Sequence, residues 1–99
     1  MKKIIFTGGS GKFGRIFKKF NSNKTNIYYP SSNTFDITNP KKMEKFIKKI
    51  KPKFIIHTAA ISRPMDIHEK EIDISIDNNI IGTCNVVKAC KKLKIICLY

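Results

Sequence analysis

Apolar positions recur along the chain at two spacings, which predict alternating strands and helices. Short apolar runs predict strands over residues 3–7, 27–29, 53–57 and 94–99, and a further short one over 34–37. Between them, apolar residues at i, i+3, i+4 and i+7 predict a helix after residue 11 and a second after residue 39, and a third helix is expected to end near residue 93. The alternation predicts an α/β fold: a Rossmann-like, doubly wound parallel sheet with helices on both faces.

Capping residues mark where these helices begin. The first helix carries an apolar stripe of Phe13, Ile16, Phe17 and Phe20, spaced as a core-facing stripe would be. The second is expected to start at a cap on Thr38 or Asn39, with Pro40 in its first turn, and to end before Pro52. Asn78 or Asn79 is expected to cap the third.

The apolar character of two strands predicts that other elements cover them in the sheet. The unbroken apolar run 54–56 predicts a central strand covered on both faces. The last strand, over residues 94–99, is equally apolar, and such a strand needs a neighbour and a covering helix after it. We therefore expect a single domain that is truncated after Tyr99.

The charge of the chain raises the alternative of a polyanion-binding protein. Its 99 residues are 41% hydrophobic and 27% charged, with a formal net charge of +13. Lysine supplies nearly all of the positive charge, since Arg15 and Arg63 are the only arginines, whereas nucleic-acid recognition favours arginine. We expect no dedicated nucleic-acid binding, and we keep a non-enzymatic basic module that binds nucleic acid or another polyanion as the alternative.

Cysteine and histidine usage predicts neither a disulfide framework nor a metal site. Cys84, Cys90 and Cys97 form no Cys-x-x-Cys pair, and only His57 and His68 accompany them. The apolar runs are far shorter than the roughly 20 residues that span a bilayer. We expect a cytoplasmic protein with reduced thiols and no membrane partner.

Three glycines lie between the first predicted strand and the first helix. Gly8 would allow a tight turn, Gly11 would let a pyrophosphate approach the backbone, and Gly14 would let the helix pack against the strand. A branched side chain at Gly11 is expected to abolish dinucleotide binding and to strain the turn. A ligand-free turn remains the alternative, whereas a Walker loop is excluded because Phe6 and Phe13 stand at two of its required positions.

Four ordered blocks resemble the extended short-chain dehydrogenases, the NAD(P)-dependent group of nucleotide-sugar epimerases, dehydratases and reductases. The blocks are Thr-Gly-Gly-Ser-Gly-Lys-Phe-Gly at 7–14, Phe-Asp-Ile-Thr at 35–38, Ile-Ile-His-Thr-Ala-Ala at 55–60 and Asn-Ile-Ile-Gly-Thr-Cys-Asn-Val-Val at 79–87. The resemblance covers the whole chain. The short second strand and the run 36–40 most resemble the dTDP-4-dehydrorhamnose reductase branch.

The resemblance implies a cofactor site and a domain. Residues 1–99 would be the amino-terminal part of an NAD(P)-binding Rossmann domain, with the substrate domain absent. The implied cofactor-binding residues are Thr7, Gly8, Ser10, Gly11, Lys12, Phe13, Gly14, Asp36, Ile37, Thr58, Ala59, Ala60 and Asn79. NADP is slightly preferred over NAD, because the stretch 30–33 after the second strand contains no acidic residue, and Lys12, Arg15 and Lys24 are expected to offset the extra phosphate.

Several of these residues have simpler explanations. Asp36 would belong to the turn before the second helix, Asn79 would be only a helix cap, and Ala59 and Ala60 would be ordinary packing. His57 is expected to be a core histidine with satisfied hydrogen bonds rather than a catalyst. Arg63 is expected to be a solvated loop residue rather than a contact for an anionic substrate.

The family's catalytic pair is missing from the sequence. The reaction of the family uses Tyr-x-x-x-Lys, and none of Tyr28, Tyr29 and Tyr99 has a lysine at that spacing. We therefore expect no catalytic residue here and no activity from these 99 residues alone. The whole protein is expected to be a reductase or epimerase acting on a nucleotide sugar, with a homo-oligomer left open.

Overall fold

The computed structural model describes residues 2–9, 11–58 and 80–98. Strands and helices alternate along these residues. In chain order they are β1 (Ile4–Thr7), α1 (Lys12–Phe20), β2 (Ile27–Tyr28), α2 (Pro40–Ile50), β3 (Phe54–His57), α3 (Gly82–Lys92) and β4 (Ile96–Leu98).

The four strands form one parallel sheet in the order β2-β1-β3-β4. Ile5 of β1 lies opposite Ile55 of β3, and Ile56 lies opposite Leu98 of β4. Because the strands are parallel, their carboxyl ends meet at one edge of the sheet, the carboxyl edge, and their amino ends at the other, the amino edge. The expected Rossmann-like parallel sheet is confirmed.

Helices α2 and α3 cover one face of the sheet and form the main core with it. Ile5 and Ile55, in the middle of their strands, are fully buried on this face. Met43 and Ile47 of α2 and Val86 of α3 pack against them, each no more than 2% exposed. These helical residues lie on apolar stripes, so burial rather than helix propensity holds the two helices in place.

Helix α1 lies on the opposite face and buries little of its apolar stripe. Phe6 of β1 is fully buried, and its ring stacks on that of Phe17 with centroids 4.5 Å apart. Phe13, Ile16 and Phe20 are 60%, 49% and 80% exposed. The expectation that the whole stripe packs into a core is wrong for these three, because helical spacing shows only that side chains share a face.

Over β3 and β4, side chains on the same face of the sheet are only partly buried. Ile96 and Leu98 are 45% and 51% exposed, and Phe54 and Ile56 are half-buried. β3 is central, as predicted, and among the described residues the helices α2 and α3 bury one of its faces. The exposed apolar side chains of α1 lie on the other side of the sheet.

Helix α2 begins and ends where the sequence predicts. The Asn39 side-chain oxygen accepts a hydrogen bond from the Lys42 N–H at 3.2 Å, and Pro40 occupies the first turn. The helix ends at Ile50, followed by Lys51 in the left-handed region at φ 57°. For α3 the predicted caps Asn78 and Asn79 lie outside the described residues.

The predicted short strand over residues 34–37 is wrong, since these residues form turns. The N–H groups of Thr34 and Phe35 donate to the Ser31 carbonyl oxygen at 3.0 and 2.9 Å. Asp36 Oδ1 accepts from the Thr38 N–H at 2.9 Å. These local hydrogen bonds compete with the pairing that a strand would need.

Candidate cofactor site

The glycine loop follows β1 at the carboxyl edge and turns the chain directly into α1. Gly8 has φ +80°, and a Cβ atom there would lie 2.7 Å from the carbonyl oxygen of Thr58. The Gly11 N–H donates to the Gly8 carbonyl at 3.1 Å and closes the turn before Lys12 starts the helix. Gly8 therefore meets both requirements that favour glycine, a positive φ and a close backbone neighbour.

Gly14 and Gly11 differ in how tightly they are enclosed. A Cβ atom at Gly14 would overlap the Gly8 carbonyl oxygen and approach the Gly9 Cα to 2.6 Å, so α1 rests directly on the loop. Gly11 is exposed, with φ −75°, and a Cβ atom there would lie 3.3 Å from the Gly8 carbonyl oxygen. This backbone conformation suits any residue, so the strain expected from a substitution at Gly11 is limited to the 3.3 Å approach of a Cβ atom to the Gly8 carbonyl oxygen.

The amino terminus of α1 is suited to an anion. The first N–H groups of a helix have no acceptor within it, and they carry the positive end of the helix dipole. Gly11, at the cap position of α1, has no side chain to accept from these N–H groups, the first turn has no acidic residue, and Lys12 and Arg15 lie within that turn. Helix α2 differs, since Asn39 caps it. The loop, the helix terminus and the two cations together could hold a phosphate group.

Thr58 joins the end of β3 to the end of β1. Its N–H donates to Thr7 Oγ1 at 3.0 Å, and its hydroxyl donates to the Thr7 carbonyl at 2.6 Å. Thr7 is 3% exposed, so both predicted site residues act in the described structure as ties between strands immediately before the glycine loop.

His57 is a core histidine with hydrogen bonds on both ring nitrogens, as expected. Nδ1 lies 2.9 Å from Thr7 Oγ1, and Nε2 lies 3.0 Å from Thr83 Oγ1. The residue is 6% exposed, and burial lowers the pKa of its imidazole because a charged ring would lose its hydration. The ring is therefore neutral at pH 7.

The first turn of α3 contains three residues of the 79–87 block that were not predicted as site residues, and the structure shows what each of them contacts. A Cβ atom at Gly82 would lie 2.5 Å from Ile37 Cδ1. Thr83 contacts His57, and Asn85 Nδ2 donates to the Ile37 carbonyl at 2.8 Å. The spacing Gly-Thr-x-Asn was the available signal, because it puts all three residues in one turn.

Asp36 and Ile37 have structural roles of their own. Asp36 Oδ1 accepts from both the N–H and the hydroxyl of Thr38, at 2.9 and 2.5 Å, and these hydrogen bonds lower the pKa of its carboxyl. Ile37 is 7% exposed, with its side chain in the core. Any contact of Ile37 with a cofactor would therefore involve its backbone.

The segment after β2 lies at the carboxyl edge. Of the three cations predicted to offset the extra phosphate of NADP there, Lys24 does not lie at this edge. Ser31 Oγ is 3.2 Å from Thr34 Oγ1 within an exposed turn. Lys12 and Arg15 start α1 at this edge. Lys24 follows α1 and precedes β2, so it lies toward the amino edge, and the expectation that it offsets a phosphate is wrong. Phe13, also predicted for the site, is largely exposed beside Phe6.

Four of the predicted cofactor-binding residues lie outside the described residues: Ser10, Ala59, Ala60 and Asn79. Arg63 also lies outside them. None of the described helices is long and apolar enough to cross a membrane.

Comparison with known proteins adds a family to this geometry. Residues 1–99 match the family model described as RmlD substrate binding domain. The fold is similar to that of dTDP-4-dehydrorhamnose reductase from Bacillus anthracis, solved in complex with NADP, with a TM-score of 0.86 and 33% identity over 100% of this chain and 36% of that one. The Yersinia enterocolitica dTDP-4-dehydrorhamnose reductase gives a TM-score of 0.82 and 27% identity over 100% and 34%.

A curated relative agrees with these structures. GDP-6-deoxy-D-talose 4-dehydrogenase from Aggregatibacter actinomycetemcomitans is 35% identical over 63 residues, which cover 61% of this chain and 21% of that protein. The chain thus spans about a third of the length of the two reductases, and its matched segment covers about a fifth of this relative. The family match over residues 1–99 and the shared fold confirm the resemblance to extended short-chain dehydrogenases, and this chain belongs to the RmlD substrate binding domain family.

Proposed function

We propose that this chain is the NADP(H)-binding, amino-terminal part of a reductase or epimerase that acts on a nucleotide sugar. One observation carries the proposal: Gly14 brings α1 onto a loop with Gly8 at positive φ, and the amino terminus of α1, whose cap residue Gly11 has no side chain, lies at the carboxyl edge. In open α/β sheets, ligands bind outside the carboxyl ends of the strands.

In this proposal the chain supplies binding rather than proton transfer. The N–H groups of the glycine loop and of the α1 amino terminus donate to the pyrophosphate. When bound, the nicotinamide supplies or accepts a hydride. The sequence contains no Tyr-x-x-x-Lys, so we assign no proton-transfer role to any residue of this chain. The remaining predicted residues, from Asp36 to Asn79, stay proposed contacts of the cofactor.

We propose NADP(H) over NAD(H) on the charges at the carboxyl edge. Lys12 and Arg15 begin α1 there, and the nearby turn around Ser31 and Thr34 offers hydroxyls. Cations and hydroxyls favour the additional phosphate of NADP(H), whereas an NAD(H) site usually presents a carboxylate to the ribose. Alanine at both Lys12 and Arg15 is expected to reduce the preference for NADPH over NADH, measured as a ratio of dissociation constants at one salt concentration.

The glycine loop is tested best at Gly11. Because Gly11 is exposed and has an ordinary φ, Gly11→Val is expected to fold, while its side chain fills the space that the pyrophosphate needs. Calorimetric titration with NADPH is expected to show binding by the wild type and none by Gly11→Val. Ser22→Val, at an exposed position toward the amino edge, is the control. Equal affinity of Gly11→Val and the wild type would remove the loop from the site.

A second candidate, polyanion binding, is supported by the placement of the lysines. The last turns of all three described helices carry lysine pairs, at 18–19, 48–49 and 91–92, and each helix ends toward the amino edge. Binding there would fall steeply with salt and depend on those pairs. A double alanine variant at Lys48 and Lys49 therefore separates the candidates: it would weaken polyanion binding and leave NADPH binding unchanged.

We also propose that the protein is cytoplasmic and that it is able to form a homo-oligomer. The cysteines of the described residues are free thiols, which are typical of reducing compartments. Sedimentation of the purified protein over a range of concentrations measures its self-association.

A further inference from the structure

A chain of hydrogen bonds runs across the sheet beneath the candidate site. It starts at the Thr58 N–H, passes through Thr7 Oγ1 to His57 Nδ1, and continues from His57 Nε2 to Thr83 Oγ1, with distances of 3.0, 2.9 and 3.0 Å. It joins β1, β3 and α3, which are far apart in sequence: His57 is 50 residues from Thr7 and 26 from Thr83. We call the two contacts of the imidazole ring the His57 bridge.

The two ends of the His57 bridge belong to different parts of the site. Thr7 immediately precedes Gly8, so its position sets where the glycine loop begins. Thr83 lies in the turn of α3 that also holds Ile37, through Gly82 and Asn85. The imidazole is therefore the link between the loop beside α1 and the turn at 36–37, two segments with proposed cofactor contacts.

We propose that His57 is a positioning residue that holds the glycine loop and the first turn of α3 in the arrangement that binds the dinucleotide. This inference rests on the proposed function for its ligand, although the effect on the loop itself does not. It assigns His57 no contact with the cofactor and no part in the chemistry.

The neutral ring is the form that suits this role. A neutral imidazole donates from one nitrogen and accepts at the other, so one threonine hydroxyl accepts and the other donates. A protonated ring donates from both nitrogens, so both hydroxyls have to accept; Thr7 Oγ1 then accepts from the ring and from the Thr58 N–H together, and a hydroxyl that donated to the neutral ring must turn its proton to another acceptor. Protonation is therefore expected to reorganise the His57 bridge and loosen the loop.

No described charge competes with this effect. The groups that face the ring from β1 and α3 are the hydroxyls of Thr7 and Thr83, which do not titrate in this range. Burial is the cause of the lowered imidazole pKa, and no charged side chain among the described residues contributes to it. Acid should therefore act on the glycine loop through the ring itself.

Three substitutions at His57 test the two contacts of the His57 bridge together and separately. His57→Phe keeps a ring and removes both hydrogen bonds. His57→Asn places an amide near the position of Nδ1 and can keep the contact with Thr7, whereas His57→Gln reaches the position of Nε2 and can keep the contact with Thr83. Ile47→Ala, in the core beneath α2, is the control for a general loss of stability.

Two measurements on the purified protein test the proposal: NADPH affinity, and hydrogen exchange of the Gly9 and Gly11 amides. We expect His57→Phe, which lacks both hydrogen bonds of the His57 bridge, to bind NADPH about tenfold more weakly and to exchange both amides faster. The Asn and Gln variants should fall between it and the wild type. Below pH 6.5, the affinity for NADPH should fall more steeply for the wild type than for His57→Asn. The His57→Asn variant serves as the control for titration of the NADPH phosphate, which affects both proteins equally.

The outcomes separate this inference from the proposed function. The positioning role is overturned if His57→Phe matches Ile47→Ala in amide exchange and in NADPH affinity. If His57→Phe fails to fold, His57→Asn and His57→Gln are compared with Ile47→Ala instead. If the wild type does not bind NADPH, the proposed function fails. Amide exchange then decides alone: faster exchange at Gly9 and Gly11 than in Ile47→Ala supports the His57 bridge, and equal exchange overturns it.

Discussion

Gly82 of α3 packs so closely on Ile37 that a Cβ atom there would lie 2.5 Å from Ile37 Cδ1. Ile37 cannot easily retreat, because its side chain is in the core and its carbonyl accepts from Asn85 Nδ2 at 2.8 Å. Both contacts lie in the first turn of α3, so the helix is held against the segment between β2 and α2 at a fixed position.

Gly82→Ala is expected to lower the free energy of unfolding by about 1 kcal/mol. Overpacking costs about 1–3 kcal/mol, and the better helix propensity of alanine returns about 1 kcal/mol. Urea unfolding followed by circular dichroism measures the difference. Ile37→Val removes the Cδ1 atom, so the double variant should lose less stability than the two single variants added together. Strict additivity would mean that the close approach is not what makes alanine costly.

Stability is expected to fall as the pH drops below 6.5. Burial lowers the pKa of His57, so the unfolded chain takes up a proton at a higher pH than the folded protein does. The His57 contribution is complete above 6.5 and is lost as the pH falls toward the lower folded value. Asp36 has a lowered pKa as well, and its contribution is lost only below about 3.8, in a separate range. Urea midpoints from pH 7.5 to 5 measure the first range, and His57→Asn should flatten the curve there.

Lys51→Gly is expected to stabilise the protein by about 1 kcal/mol. Lys51 ends α2 with φ 57°, a conformation that costs other residues roughly 1 kcal/mol and that glycine adopts freely. Its N–H still donates to the Ile47 carbonyl at 2.7 Å, so the hydrogen bond that ends the helix is kept. Lys45→Gly, in the middle of the same helix, should instead destabilise by about 1 kcal/mol. A thermal melt that ranks the two variants in the opposite order would contradict this assignment.

The three cysteines are expected to react with a thiol reagent at very different rates. Cys84 is exposed, whereas Cys90 is buried. Burial and the nearby Cys97 raise the pKa of Cys90 to about 12, and burial raises that of Cys97. Ellman's reagent should therefore modify one thiol quickly in the folded protein and all three in urea. Cys84→Ser should abolish the fast reaction, and its persistence would mean that Cys90 of α3 or Cys97 of β4 is accessible to the reagent in the folded protein.

The sequence predicts local features of this fold better than contacts between distant segments. The cap at Asn39 followed by Pro40 and the loop starting at Gly8 are confirmed, because a few neighbouring residues decide them. The spacing of Phe13 and Phe20 marks one side of α1 correctly, but it holds no information about whether anything packs there.

The candidate site shows the same limit. The resemblance marks Thr7 and Thr58 as site residues, and the structure adds that they hold β1 to β3. The partners of His57 could not be predicted from periodicity, because they come from segments 50 and 26 residues away. In the sequence, Thr83 and Asn85 are only positions of a motif. Their contacts follow from the structure, which places the first turn of α3 beside Ile37.

The position of β1 in the sheet has a consequence for how the chain acquires its structure. β1 is made before its two neighbours in the sheet, β2 and β3, and Ile5 pairs across a gap of fifty residues with Ile55. A ribosome adding about 5–20 residues per second needs roughly 3–10 s to supply that partner. Throughout this interval Phe6, fully buried in the finished fold, has one neighbouring strand missing. Such distant pairing is slow to form, so we expect folding to await β3 and the nascent chain to present β1 to chaperones until then.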